Sequence, residues 1–327
     1  MNGSHALFEE DEKDGYCALP TLVELAFGVG VDGLSYTPRR GDSDIEHSAA
    51  LSTRAKFGHG ETMLSFLRCI SSFIGVPIAL VATQPAVAAT KCPTHFAGGV
   101  EPRLVNPKLA RAATELCNQR FVVLHSAVTR TPLYVAEHLT RAGIAAARDY
   151  DQRDNRFHAD PDLRPADRAE LADYVRSGFD RGHMAPSGDM IDEESDYESF
   201  SLANIVPQIG ALNRNSWADM ENYVRSLTTK LGDAYVVTGP AYEGKTIKAL
   251  NGRVLVPTST WKAVYVPGEG AGAWIATNTS NPRWQVVSII ELARRTGIDP
   301  FPRLAAGTKG KVPAFPNFGR DSAKRDR

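Results

Sequence analysis

The chain has 327 residues, of which 43% are hydrophobic and 23% charged. That balance excludes wholesale disorder and leaves room for one large domain with extras, or for two domains. The net charge of −1 hides an asymmetry: residues 1–89 carry 6 Lys+Arg against 11 Asp+Glu, leaving 31 against 27 in residues 90–327, a mildly basic body that suits a polyanionic partner without requiring one.

The first 62 residues are acidic early, at Glu9, Glu10, Asp11 and Glu12, and rich in Gly and Ser. They lack sustained periodicity and read as a disordered leader, or as a wrongly assigned start ahead of Met63. Residues 63–89 have the three parts of an export signal: a short start with Arg68, an apolar run from Cys69 to Ala82, and small residues ending in Ala86-Val87-Ala88. The apolar run is short for a bilayer-spanning helix, which needs about 20 residues. A short anchor or a buried helix is the competing reading. Cleavage near Ala89 predicts a periplasmic or secreted protein with no stable membrane association. It removes Cys17 and Cys69 and leaves Cys92 and Cys117, an even pair in an oxidising compartment. A bridge between them closes a loop of about 25 residues, worth on the order of 3 kcal/mol in the chain-entropy picture; two unpaired thiols are the alternative.

Residues 90–303 form the expected main domain. Residues 107–118 open with Pro107 and predict a helix. Residues 120–126 and 133–139 predict strands of a hairpin turning near Thr129–Pro132. The polar stretch 148–173 predicts an ordered loop. Further strands are expected at 234–239, 254–258, 261–266 and 272–277, and residues 287–296 read as an extended run passing into a short helix. From Leu304 onward the chain is Gly-, Lys- and Arg-rich, which predicts a basic flexible tail. No internal repeat is found. Short strands mixed with a few helices indicate an α+β fold with a mainly antiparallel sheet.

The stretch that carries chemistry is Asp180-Arg181-Gly182-His183. On a strand, Arg181 and His183 share a face, so a base stands beside a cation. Gly182 between them permits close backbone approach or an unusual φ, and Asp180 can fix Arg181 or a local turn. Phosphodiester hydrolysis needs such a set: a base to activate water, and cations to offset charge on the phosphate and the leaving oxygen. A lone histidine is more often structural, so this motif by itself is only suggestive.

Residues 212–231 supply a second element. Trp217, Met220, Val224, Leu227 and Leu231 recur at helical spacing. Asn213 projects onto that stripe in the first turn, Glu221 lies at its edge two turns on, and Arg225 a turn beyond. The amide reads either as a helix cap or as a neutral oxygen ligand for a hard cation.

On Ser177-Gly-Phe-Asp-Arg-Gly-His-Met-Ala-Pro-Ser187, Phe200-Ser-Leu-Ala-Asn-Ile-Val-Pro-Gln208 and the Asn213, Trp217, Glu221 series, the chain resembles the DNA/RNA non-specific endonucleases. That family includes secreted bacterial sugar-non-specific nucleases and mitochondrial endonuclease G. The likeness spans roughly residues 120–302. It implies a ββα-metal (His-Me finger) fold and a metal-dependent endonuclease acting on DNA and RNA. It implies His183 as general base, Asn213 as the direct protein ligand to Mg2+ (Mn2+ a substitute), and Glu221 orienting metal-bound water. Arg181 and Arg225 would meet phosphate, with Asp180 grouped among the substrate-binding residues. A further upstream arginine is implied; Arg156 is favoured over Arg153. A homodimer is left open. Two other classes remain at this point: a nucleic-acid-binding module without activity, and a phosphodiesterase for small substrates.

Overall fold

A computed structural model describes residues 90–153 and 155–319. The leader, the export-signal segment and residues 320–327 lie outside the described residues. In chain order the main elements are β1 (Ala113–Cys117), β2 (Phe121–Ser126), β3 (Thr131–Thr140), α1 (Arg141–Tyr150), β4 (Asp180–His183), α2 (Glu193–Ser199) and β5 (Ile205–Gln208). A π-helical turn, Leu212–Trp217, leads into α3 (Ala218–Leu231). Then come β6 (Asp233–Ala241), β7 (Ser259–Val266), β8 (Gly270–Thr277), β9 (Trp284–Val287) and α4 (Ile289–Thr296).

Seven strands form one antiparallel sheet in the order β9-β8-β7-β6-β3-β2-β1. Strand alternation sorts its side chains to two faces. Val135, Leu139, Val236, Val264 and Trp274 pack on one side against Trp217, Met220 and Val224 of the helical segment. Tyr134, Ala136, Val237, Trp261 and Ala263 pack on the other against Ile289 and Leu292 of α4 and against Phe96 and Phe301. Both faces of the sheet are therefore covered, and the α+β expectation holds.

Three expectations change. Residues 107–118 are not a helix: one 3-10 turn, Pro107–Ala110, ends before Ala112 at φ +55°, and the chain then enters β1. Alanine-rich local preference loses to the ladder with β2 and to the Cys92–Cys117 disulfide, whose Cα atoms are 6.1 Å apart. Residues 141–150, given no helix above, form α1, capped by the Thr140 hydroxyl accepting from the Gly143 N–H and closed by Asp151 at φ +35°. The tail expected to be flexible from Leu304 is instead packed as far as residue 318. Phe315 stacks on Trp274 at 4.4 Å, the Trp274 indole N–H donates to the Pro316 carbonyl at 2.8 Å, and Phe318 meets Trp284. Aromatic side chains and prolines at 313–318 outweigh the basic composition around them. Among the described residues no helix is long and apolar enough to cross a membrane.

Candidate active site

β4 pairs antiparallel with β5, placing His183 opposite Ile205 and Gly182 opposite Val206. Gly182 serves close approach rather than an unusual φ: a Cβ there would stand 2.7 Å from the Gln208 Cβ, nearer than atoms can pack. Just past His183 the backbone is pinned in both directions by Asn204, whose amide donates to the Ala185 carbonyl and accepts from the Ala185 N–H, each at 2.9 Å.

The His183 ring is 8% exposed and wedged between aromatic side chains, with Phe157 at 5.3 Å and the edge of Phe200 at 4.9 Å. Burial, then the nearby Arg153 and Arg181, lower its pKa to about 3. The imidazole is thus neutral at ordinary pH and able to accept a proton. Its Nε2 has no hydrogen-bond partner among the described residues.

The π-helical turn brings Asn213 and Arg214 together against Asp180. Extra-wide turns of this kind recur at functional sites. Asp180 accepts from the Asn213 amide nitrogen at 3.1 Å and from both arms of the Arg214 guanidinium. The Arg214 bond in particular holds the Asp180 carboxyl below its ordinary range. An ionised carboxylate only accepts, so the amide nitrogen points to Asp180 and the carbonyl oxygen is left to other partners. Asp180, grouped above with substrate-binding residues, here holds Asn213 and Arg214.

A cavity of about 310 Å3 is lined by Arg153, His183, Asn213, Arg214, Glu221 and Arg225, among others. The base, amide, carboxylate and arginine expected from separate motifs therefore converge. Burial pushes the Glu221 carboxyl up to about 7, opposed by Lys262 and Arg225. Arg225 is anchored by donating to Asp189 at 2.9 Å and to Asn222 at 2.8 Å. A second hollow of about 350 Å3 shares Asn213 with the first and carries Arg181, Phe157, Tyr174 and Phe179. There the Arg181 guanidinium lies over the Phe157 ring at 4.0 Å, the same ring that flanks His183.

The two upstream arginines are placed differently. Arg156 turns outward, donating to Glu193 at 3.1 Å and lying over Tyr197, whereas Arg153 lines the cavity and lies over Phe200 at 5.3 Å. The choice follows from where the loop after α1 folds back. Sequence reading also missed Phe157, Phe200, Asp189 and Arg214. The polar run 148–173 concealed Phe157, and Asp189 lies six residues past His183 with no spacing to single it out.

Among the described residues no group of three or more His, Cys, Asp or Glu is placed to cage a metal ion. The donors that face the cavity are an oriented amide oxygen and one carboxylate. Such hard, sparse oxygen donors suit a cation that keeps most of its water, as Mg2+ does.

The class defined by this arrangement, a strand pair and helix gripping a cavity against an antiparallel sheet, is the ββα-metal fold. The family model for DNA/RNA non-specific endonuclease matches residues 104–307, and the chain belongs to that family. It is 35% identical over 227 residues to Nuclease C1 of Cunninghamella echinulata var. echinulata, spanning 63% of this chain and 89% of that one. It is 32% identical over 206 residues to mitochondrial endonuclease G of Bos taurus, spanning 60% and 67%. Among solved structures, a crystal structure of an EndoG/EndoGI complex superposes with a TM-score of 0.52 at 26% identity, over 61% of this chain and 93% of that one.

Proposed function

We propose that this protein is an endonuclease that hydrolyses phosphodiester bonds in both DNA and RNA with little sequence preference. The observation that carries the reading is the single cavity lined by His183, Asn213, Glu221, Arg225 and Arg153. Neutral His183 takes the proton from the attacking water. The Asn213 carbonyl oxygen, left outward by Asp180, would hold a divalent cation, and Glu221 would help orient the water around it; Mg2+ is the expected ion and Mn2+ a substitute. When bound, the cation supplies positive charge for the phosphate and the departing oxygen. Arg153, Arg181 and Arg225 offset the remaining phosphate charge. Contacts to phosphate carry no base information, which accounts for the low sequence preference.

The test is nicking of supercoiled plasmid and cleavage of a long RNA, with and without EDTA. Cleavage of both polymers that EDTA stops and Mg2+ restores supports the reading; nucleic-acid binding with no cleavage in Mg2+ or Mn2+ overturns it. We further propose export to the periplasm or medium, supported by the signal pattern at 63–89 and by a disulfide suited to an oxidising compartment. A secreted form whose N-terminus falls near Ala89 or Thr90 is the expected outcome. A protein that stays in the cytoplasm with residues 63–89 uncleaved counts against it.

A further inference from the structure

The sheet face beneath the cavity is apolar at Val135, Val236 and Val264, but three polar side chains interrupt it: Glu137 on β3, Thr238 on β6 and Lys262 on β7. Glu137 is 1% and Lys262 2% exposed. Charges so deeply buried are costly, and a buried ion pair is weak support for stability in itself. Their place is informative. The Lys262 ammonium donates to the Thr238 hydroxyl at 2.6 Å and to the Met184 carbonyl at 3.2 Å. Met184 is the residue after His183. An ammonium has three donors, and these two bonds tie the end of β4 to the central sheet.

Ionisable groups from the elements packed around this face meet near Glu137 and Glu221. Glu137 approaches from β3, Asp189 from the turn after β4, and Glu221 and Arg225 from α3. Neither carboxylate oxygen of Glu137 has a hydrogen-bond partner among the described residues. Three carboxylates thus surround two cations, and the one that borders the cavity is Glu221.

We propose that Lys262 is a positioning residue of this site, its ammonium bracing the backbone beyond His183 against the sheet beneath the Glu221 carboxyl. The inference rests on the nuclease reading above. Two features support it. Lys262 is the largest charge opposing the upward push of burial on Glu221. Burial also drives the Glu137 carboxyl well up, with Lys262 the chief cation pulling it back. The bracing therefore serves two site residues at once, the base through its backbone and the carboxylate through charge.

The experiment compares the parent chain with Lys262→Met, Lys262→Met/Glu137→Gln and Lys262→Arg. Glutamine leaves no ionisable group buried beside the new methionine, so the double variant regains the metal-free thermal midpoint that Lys262→Met loses. Its kcat on plasmid DNA stays lower by on the order of tenfold with KM within about twofold, the signature of lost transition-state alignment rather than lost binding. Lys262→Arg keeps the charge and recovers part of kcat.

A double variant that regains kcat together with its midpoint overturns the proposal, since the pair would then be structural only. Unchanged kcat in Lys262→Met overturns it as well. Should the methionine variants fail to fold, Thr238→Val removes one bond of the brace while leaving all charges. An unaltered kcat there sinks the idea, and a loss of about threefold with an unchanged KM upholds it. Absence of cleavage by the parent chain is a different failure: it removes the nuclease reading and this inference with it.

Discussion

The hydrogen bond from the Asn213 amide nitrogen to Asp180 decides which end of that amide is turned away from the carboxylate. A side-chain amide can turn either end toward a neighbour; a carboxylate that can only accept removes the ambiguity. The Arg214 guanidinium then holds the carboxylate in its ionised form.

Breaking that arrangement should act through the metal. Asp180→Ala leaves Asn213 in place but its amide undirected, and loss of such an outer partner commonly costs 10–100-fold in metal affinity or activity. The Mg2+ concentration for half-maximal cleavage is the measurement, and an unchanged Mg2+ response would remove Asp180 from this role.

His183→Ala should abolish cleavage while sparing binding, since general-base assistance contributes about 10²–10⁴-fold. The phosphate-facing arginines remain in the variant, so the midpoint of a DNA titration followed by fluorescence anisotropy in Ca2+ should move little. Near-parental nicking would overturn the assignment.

The two upstream arginines should separate cleanly. Arg153→Ala is expected to lower kcat/KM by on the order of 100-fold, as losing a preorganised charge-stabilising donor does. Arg156→Ala, paired on the surface with Glu193, should stay within about threefold, in keeping with the small worth of exposed ion pairs. The reverse ranking would restore the expectation drawn from sequence.

Acid should destabilise the protein through two buried histidines. Burial lowers His183 to about 3 and His125, 1% exposed, to about 4. Above pH 6.5 each ring is neutral both folded and unfolded, so neither alters stability. As pH falls below 6.5 the unfolded chain takes up protons that the folded chain refuses, and stability drops until the folded pKa is reached. Each ring should cost about 2 kcal/mol between pH 6.5 and 5. Urea unfolding of the parent and of His125→Gln at pH 7 and pH 5 measures it; equal pH slopes for the two proteins would show that His125 is not a source.

What sequence could reveal, and what it could not, divides along a physical line. His183, Asn213, Glu221 and Arg225 were legible because they sit in short motifs that carry a family resemblance, with strand and helix spacing placing them on shared faces. The hairpin of β2 and β3 was legible because β-branched and aromatic residues fall in two runs around a turn. The helix assigned to 107–118 failed because its alanines favour a helix only when nothing competes, and pairing with β2 does compete. Arg153 could not be told from Arg156, since three residues in an irregular loop set no periodicity. Glu137 and Lys262 lie 125 positions apart in strands that look merely half-polar, and only the sheet order brings them beneath the same helix.

The packed segment at 313–318 has a consequence for how this protein is divided. Family likeness stops at residue 307, but the wall that shields Trp274 and Trp284 is built from Pro313, Phe315 and Phe318. Gly272 has no room for a side chain because Pro313 already fills that space. A chain shortened to the shared portion would keep every catalytic group and bare two tryptophans, and should be prone to self-association. The boundary of inherited chemistry and the boundary of a soluble body thus fall at different places in this chain.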